Sequence, residues 1–159
     1  VPGVLDLRIF GVQEVNQMLA NGGRAARNMK PALNLVADDL MKRVIAVNFS
    51  SEGRRGGGSW KHLQEETIKR KLAAGESIKI LVATGALRDS MTVRDHSEQY
   101  LHITNRYLEL SSYLPYAVVQ DEGGGRSDLP ARPFVEFLES DVFRWANICE
   151  RYLIDAMRI

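Results

Sequence analysis

The stretch from Met29 to Val47 constrains this chain most. Met29, Leu33, Val36, Leu40, Val44 and Val47 recur at helical spacing, and Leu35, Met41 and Ile45 widen the stripe. Such a pattern is a helix with one broad face made for a core. It predicts a long helix over 24–48, with Asp38, Asp39, Lys42 and Arg43 on its outer face. Pro31 suits the first turn of a helix that starts near Asn28, where the missing N–H has no partner to lose. Residues 21–28, which contain Asn21-Gly22-Gly23, then form a loose or frayed turn.

The rest of the chain must cover that face. Residues 4–10 alternate, with Leu5, Leu7 and Ile9 opposite Asp6 and Arg8, as in a half-buried strand. A short helix follows over 12–20. Residues 50–59 hold four glycines with Arg54 and Arg55 and read as a mobile loop or one that orders against a partner. A helix capped by Ser59 follows Trp60 and ends at Gly75, carried by Leu63, Thr67, Ile68 and Leu72. After the apolar run 78–82, Thr84-Gly85 opens one helical turn over 86–90, and 91–94 begins extended structure. Residues 99–104 and 107–111 alternate around Asn105-Arg106 as an antiparallel hairpin, with Tyr100, His102 and Thr104 opposite Leu101 and Ile103.

The segment 115–137 joins two stiff ends through a Gly-rich link. Residues 114–122 read as a short helix stopped by Gly123–Gly125. Residues 132–137 read as a final strand or extended docking segment, free to seat on a neighbour such as a second copy of the chain. A last helix over 139–157 places Val142, Trp145, Ile148, Cys149, Tyr152, Leu153 and Ala156 at core spacing. The expected fold is a single α+β domain over 1–159. An antiparallel or mixed sheet of four to five strands packs against a long helix in the N-terminal half and a C-terminal helix, with two Gly-rich loops.

Composition narrows the chemistry. The formal net charge is +1, from 21 basic and 20 acidic side chains, which argues against a strongly basic nucleic-acid binder but leaves room for one positive face. The lone Cys149 forms no intrachain disulfide and suits a reducing compartment. No apolar run is long enough to span a membrane, and Asp6, Arg8 and Glu14 break up any leader-like stretch. The run GRRGGGSW lacks the Lys-Ser/Thr ending of a phosphate loop. His62, His96 and His102 form no metal-binding pair. The adjacent acids Asp38/Asp39 and Asp121/Glu122 read as surface charge. The reading is therefore no enzyme, no catalytic residue, no cofactor and no metal.

Two residues stand apart. Trp60 sits where a glycine loop becomes a helix, as a core or interface anchor. Arg132, between Pro130 and Pro133, is presented from a stiff extended backbone that suits a fixed pairing with a carboxylate, within the subunit or across to another.

In order, the chain shows Phe49, Gly58-Ser-Trp60, Leu63, Thr67, Ile80-Leu81, Thr84-Gly85-Ala-Leu87, Ser90, Pro115-Tyr116-Ala117, Gln120, Gly123 and Pro130-Ala-Arg-Pro-Phe134. This series resembles the phage virion morphogenesis, or tail completion, family over roughly residues 45–138. The resemblance implies a structural virion protein made in the host cytoplasm and placed at the neck or head-proximal tail end. It would complete or cap the tail as a subunit of a sixfold homo-oligomeric ring around the DNA channel. Its partners would be the tail tube protein, head–tail connector proteins and, nonspecifically, the genomic DNA. Interface candidates are Arg54, Arg55, Trp60, Tyr116, Arg126, Arg132 and Phe134. Two departures leave the neck position open between terminator, adaptor and stopper. Arg-Arg-Gly-Gly-Gly-Ser stands where relatives carry a Pro-Asp-Gly-like turn, and Val119-Gln120 where they carry His-Gln. A nucleic-acid-binding adaptor outside any ring is the competing class.

Overall fold

A computed structural model describes residues 12–124 and 128–158. The strand expected over 4–10 and the loop residue Arg126 lie outside them.

Helix α1 (Val12–Arg27) runs straight through Asn21-Gly22-Gly23, where the sequence predicts a break. The reason is tertiary. Gly22 faces the C-terminal helix α7 (Glu139–Met157), and a Cβ there would fall 2.9 Å from Met157 Cγ. Packing against α7 overrides a glycine cost of about 1 kcal/mol.

Helix α2 (Lys30–Asp39), with Pro31 in its first turn, passes through a π-helical turn (Leu40–Ile45) into α3 (Ala46–Ser51). Its buried residues come in adjacent pairs: Val36 and Ala37, Leu40 and Met41, Val44 and Ile45, Asn48 and Phe49. Pairs that repeat every fourth residue drift around a helix of about 3.6 residues per turn. The wider π turn, in which Ala46 N–H donates to the Met41 carbonyl, takes up that drift and keeps the pairs on the buried side. Leu35 and Val47, counted in the stripe, are exposed.

Glu52 and Gly53 turn the chain out of α3 with positive φ, and the loop returns Trp60 onto Phe49. Residues 61–64 are not helical, and α4 (Glu65–Ala73) begins later than Ser59 would cap it. Lys71 Nζ then donates to the Ser77 and Lys79 carbonyls, at 2.8 and 3.0 Å, and pins the loop that carries buried Ile80. Helix α5 (Ala86–Thr92) extends past its expected single turn. Ser90 is buried in it, with its hydroxyl on the Leu87 carbonyl and the Ser112 hydroxyl. The core gathers Phe49, Trp60, Ile80, Leu87, Met91, Ala117 and Phe134 around the α2–α3 rod.

The sheet departs most from expectation. Among the described residues it has only two strands, β1 (Gln99–Ile103) and β2 (Leu108–Ser112), antiparallel with Gln99 opposite Ser112 and Ile103 opposite Leu108. The expected sheet of four to five strands is therefore overturned. Met91 and Thr92 finish α5. Residues 132–137 hold no ladder, because their donors go elsewhere. Arg132 N–H donates to the carbonyls of Gln120 and Asp121, Phe134 N–H donates to Asp121 Oδ1, and Pro133 has no N–H to give. The molecule is helix-rich, with one hairpin laid beside α2 and α5 and a short α6 (Ala117–Glu122) before the second glycine loop.

Gly53 tests how closely the first glycine loop is fitted. At φ 81° it occupies left-handed space, and an added Cβ would fall 2.6 Å from Trp60 Nε1. Gly53→Ala is expected to cost at least about 2 kcal/mol, from αL strain plus displacement of the buried indole. Urea unfolding measures it, and a loss under about 0.5 kcal/mol, the range of an ordinary surface change, refutes the fit.

Candidate interaction site

The interface candidates separate into residues used within the chain and residues that face outward. Trp60 is buried, with Nε1–H donating to the Pro133 carbonyl at 3.0 Å. Asn48 Nδ2 reaches the Phe134 carbonyl at 3.3 Å. Phe134 lies buried against Phe49, ring centroids 5.3 Å apart. The Pro-Ala-Arg-Pro-Phe segment is thus clasped to the end of α3 in its own subunit rather than held out for a neighbour. Arg54 stays exposed near Glu52 Oε2, at 3.6 Å, and Tyr116 is also exposed.

Arg55 turns inward. It donates to the Glu136 carbonyl and to Asp141, which is fully buried. Asp141 also accepts Leu138 N–H at 2.9 Å, which ties down the start of α7, and Arg144 Nη2 at 2.8 Å. Arg144 in turn grips Asp39 in fork geometry, at 2.9 Å through Nε and 2.7 Å through Nη2, while Trp145 Nε1 donates to the same carboxylate at 2.8 Å. Burial alone would raise the Asp141 carboxyl. The hydrogen bonds from Arg55, the Leu138 backbone and Arg144 outweigh it and bring the group from 3.8 down to about 2. Burial opposes ionisation of Asp39 too, and the Arg144 and Trp145 hydrogen bonds prevail to lower it. Sequence reasoning missed this lattice: it set Asp39 on the outer face and read Arg55 as a loop cation.

Arg132 has a different fate. It is 6% exposed, and its guanidinium reaches only the Lys61 carbonyl, at 3.2 and 3.3 Å. Among the described residues no carboxylate lies within ion-pairing distance of it, and burial pushes its pKa down. It lines a cavity of about 510 Å³ between α4, the start of α5 and the second glycine loop, with Tyr116 also in the wall.

A second outward feature is the solvent face of the hairpin. Tyr100, His102, Tyr107 and Tyr113 form a row of rings with neighbouring centroids 6.0–6.2 Å apart, and Tyr100 hydroxyl donates to Glu109 Oε2 at 3.3 Å. Tyr113 is 62% exposed. Alternation placed Tyr100 and His102 together, but the sequence did not mark that face as adhesive. On α1, Val15, Met18 and Leu19 are exposed at helical spacing. Among the described residues no His, Cys, Asp and Glu cluster could hold a metal ion, and no helix is long and apolar enough to cross a membrane.

The fold and its surfaces define a protein fastened internally by ion pairs and aromatic packing, with rings and aliphatic side chains left for other molecules. The sequence profile of the phage virion morphogenesis family matches residues 11–154, and the chain belongs to that family. Its role is thus a structural, tail-associated one in phage virion morphogenesis. No curated protein and no solved structure matches significantly.

The lattice yields a pH prediction. The folded Asp141 pKa is depressed, so its stabilisation is fully present above about pH 4 and is lost as pH falls through about 2. Asp141→Ala leaves buried Arg55 without its carboxylate and takes one of two from Arg144, and is expected to cost about 3–5 kcal/mol at neutral pH. The gap between wild type and variant should narrow as pH drops across that window. Denaturant melts at stepped pH check both; a gap that is constant with pH contradicts the assignment.

Proposed function

We propose that the protein completes or caps the head-proximal end of a bacteriophage tail and helps join it to the head, as a non-enzymatic subunit of a homo-oligomeric, sixfold ring around the DNA channel. The family match over residues 11–154 carries the virion role. The exposed row Tyr100, His102, Tyr107 and Tyr113 supports repeated subunit contacts, because tyrosine adds apolar area and a hydrogen bond at little entropic cost. In this reading Tyr116 and Arg54 also face neighbours, and exposed Arg54 is the cation available for nonspecific contact with channel DNA. Arg55, Trp60 and Phe134 serve assembly indirectly, by holding the loops in shape.

Native mass spectrometry with electron-microscope class averages, on the protein alone and mixed with purified tails, tests the proposal. A sixfold ring, alone or on the tail end, is the expected result. A monomer or dimer that ignores tails overturns it, and a ring that seats on the connector instead of the tail moves the protein to an adaptor or stopper position. The double substitution Tyr107→Ser with Tyr113→Ser leaves the inner face of the hairpin untouched. It is expected to weaken self-association by at least about thirtyfold per lost anchor while the melting temperature holds.

A further inference from the structure

The cavity beside Arg132 is lined by Lys61, Arg70, Lys71 and Arg132 against one carboxylate, Asp128. Two of these cations are buried: Lys71 is 8% exposed and Arg132 6%. Taking a guanidinium and an ammonium out of water is costly unless a counter-charge repays it. Here each is satisfied only by backbone carbonyls, Lys71 by Ser77 and Lys79, Arg132 by Lys61. Carbonyls satisfy donors but do not neutralise charge. Glu76 attracts Lys71 but lies beyond ion-pairing distance, and burial pulls the Lys71 ammonium below its usual range. The wall also carries Gln120, whose buried Oε1 has no donor. Leu63, Leu87 and Leu129 supply apolar wall, and His62, Gln64, Thr67 and Thr84 add further polar groups.

We propose that this cavity is a receptor for an acidic side chain on an extended segment of a partner protein, the carboxylate pairing with Arg132 and Lys71 at the base and with Arg70 and Lys61 at the rim. A guanidinium fork matches a carboxylate in bidentate geometry. An extended peptide also offers the N–H that Gln120 Oε1 lacks, whereas a phosphodiester offers no donor. Single-stranded nucleic acid is tracked along open grooves of exposed cations and stacking rings. Here Arg132 and Lys71 are instead buried in the wall of a half-open pocket of side-chain size. Tyr116, exposed at the wall, is placed to pack on the arriving segment. The site deepens the virion reading by giving the subunit a socket for a neighbour, and it rests on that reading only for the partner's identity.

The probe is a blocked acidic peptide, acetyl-Ala-Glu-Ala-Glu-Ala-amide, with its glutamine counterpart as control. Binding is followed by calorimetry and by the NMR resonance of Arg132 Nε–H. The expected result is saturable binding that shifts that resonance, with the glutamine peptide at least about tenfold weaker. Arg132→Gln should abolish binding. Because it removes a buried contact, exposed Arg70→Gln serves as the second variant and should weaken binding several-fold with an unchanged melt. Absence of saturation, equal affinity for the glutamine peptide, or tighter binding of inorganic phosphate or a single-stranded oligonucleotide at the same residues overturns the proposal. Ring formation is scored separately. Peptide binding without assembly on tails keeps the socket and removes the tail role; assembly without peptide binding does the reverse.

Discussion

One extended segment, Pro130 to Phe134, ties the structure together. Its Pro133 carbonyl takes the Trp60 indole N–H, its Phe134 ring covers Phe49, and its Phe134 N–H is held by Asp121. Four separate pieces of chain meet there: the end of α3, the first glycine loop, α6 and the lead into α7. Proline makes this workable. Pro130 and Pro133 fix the backbone before it docks, so less entropy is lost on docking than for a flexible peptide. The same clasp sinks Arg132 into the protein and leaves it facing the cavity. The cationic wall of that cavity thus owes Arg132 to the segment that closes the core.

Much of the helical content was legible. The α2–α3 stripe, Pro31 in its first turn and α7 follow from spacing, and the β1–β2 hairpin follows from alternation at 99–104 and 107–111. What failed was whatever a distant neighbour decides. Asn21-Gly22-Gly23 reads as a break in any window, yet Met157 on α7 makes Gly22 a packing position. Residues 132–137 look like a strand because prolines and β-formers favour extension, but extension is not pairing. Asp121 and Gln120 take the donors that a ladder needs. The π turn is written in the sequence as apolar pairs four apart, a signal read as mere width of the stripe.

The candidate residues show the same divide. Trp60 was legible as an anchor, from a tryptophan at a loop boundary, whereas Arg132, held between prolines and expected to pair with a carboxylate, reaches the Lys61 carbonyl instead. The inward turn of Arg55 was not legible. Its partner Asp141 lies in another helix and Asp39 is reached only through Arg144, and no local pattern connects them. The aromatic row on the hairpin needed the register, which brings Tyr107 and Tyr113 from the ends of β2 alongside Tyr100 and His102.

The lattice has a consequence for the order of events during synthesis. Asp39 and Arg55 emerge from the ribosome early, but Asp141, Arg144 and Trp145 follow only after roughly a hundred more residues for Asp39, and fewer for Arg55. Until then Asp39 has only its weak i,i+4 pairing with Arg43 and stays in water. The start of α7 is thus the last part of this network to be made, and a nascent chain cannot complete it until Trp145 has left the tunnel.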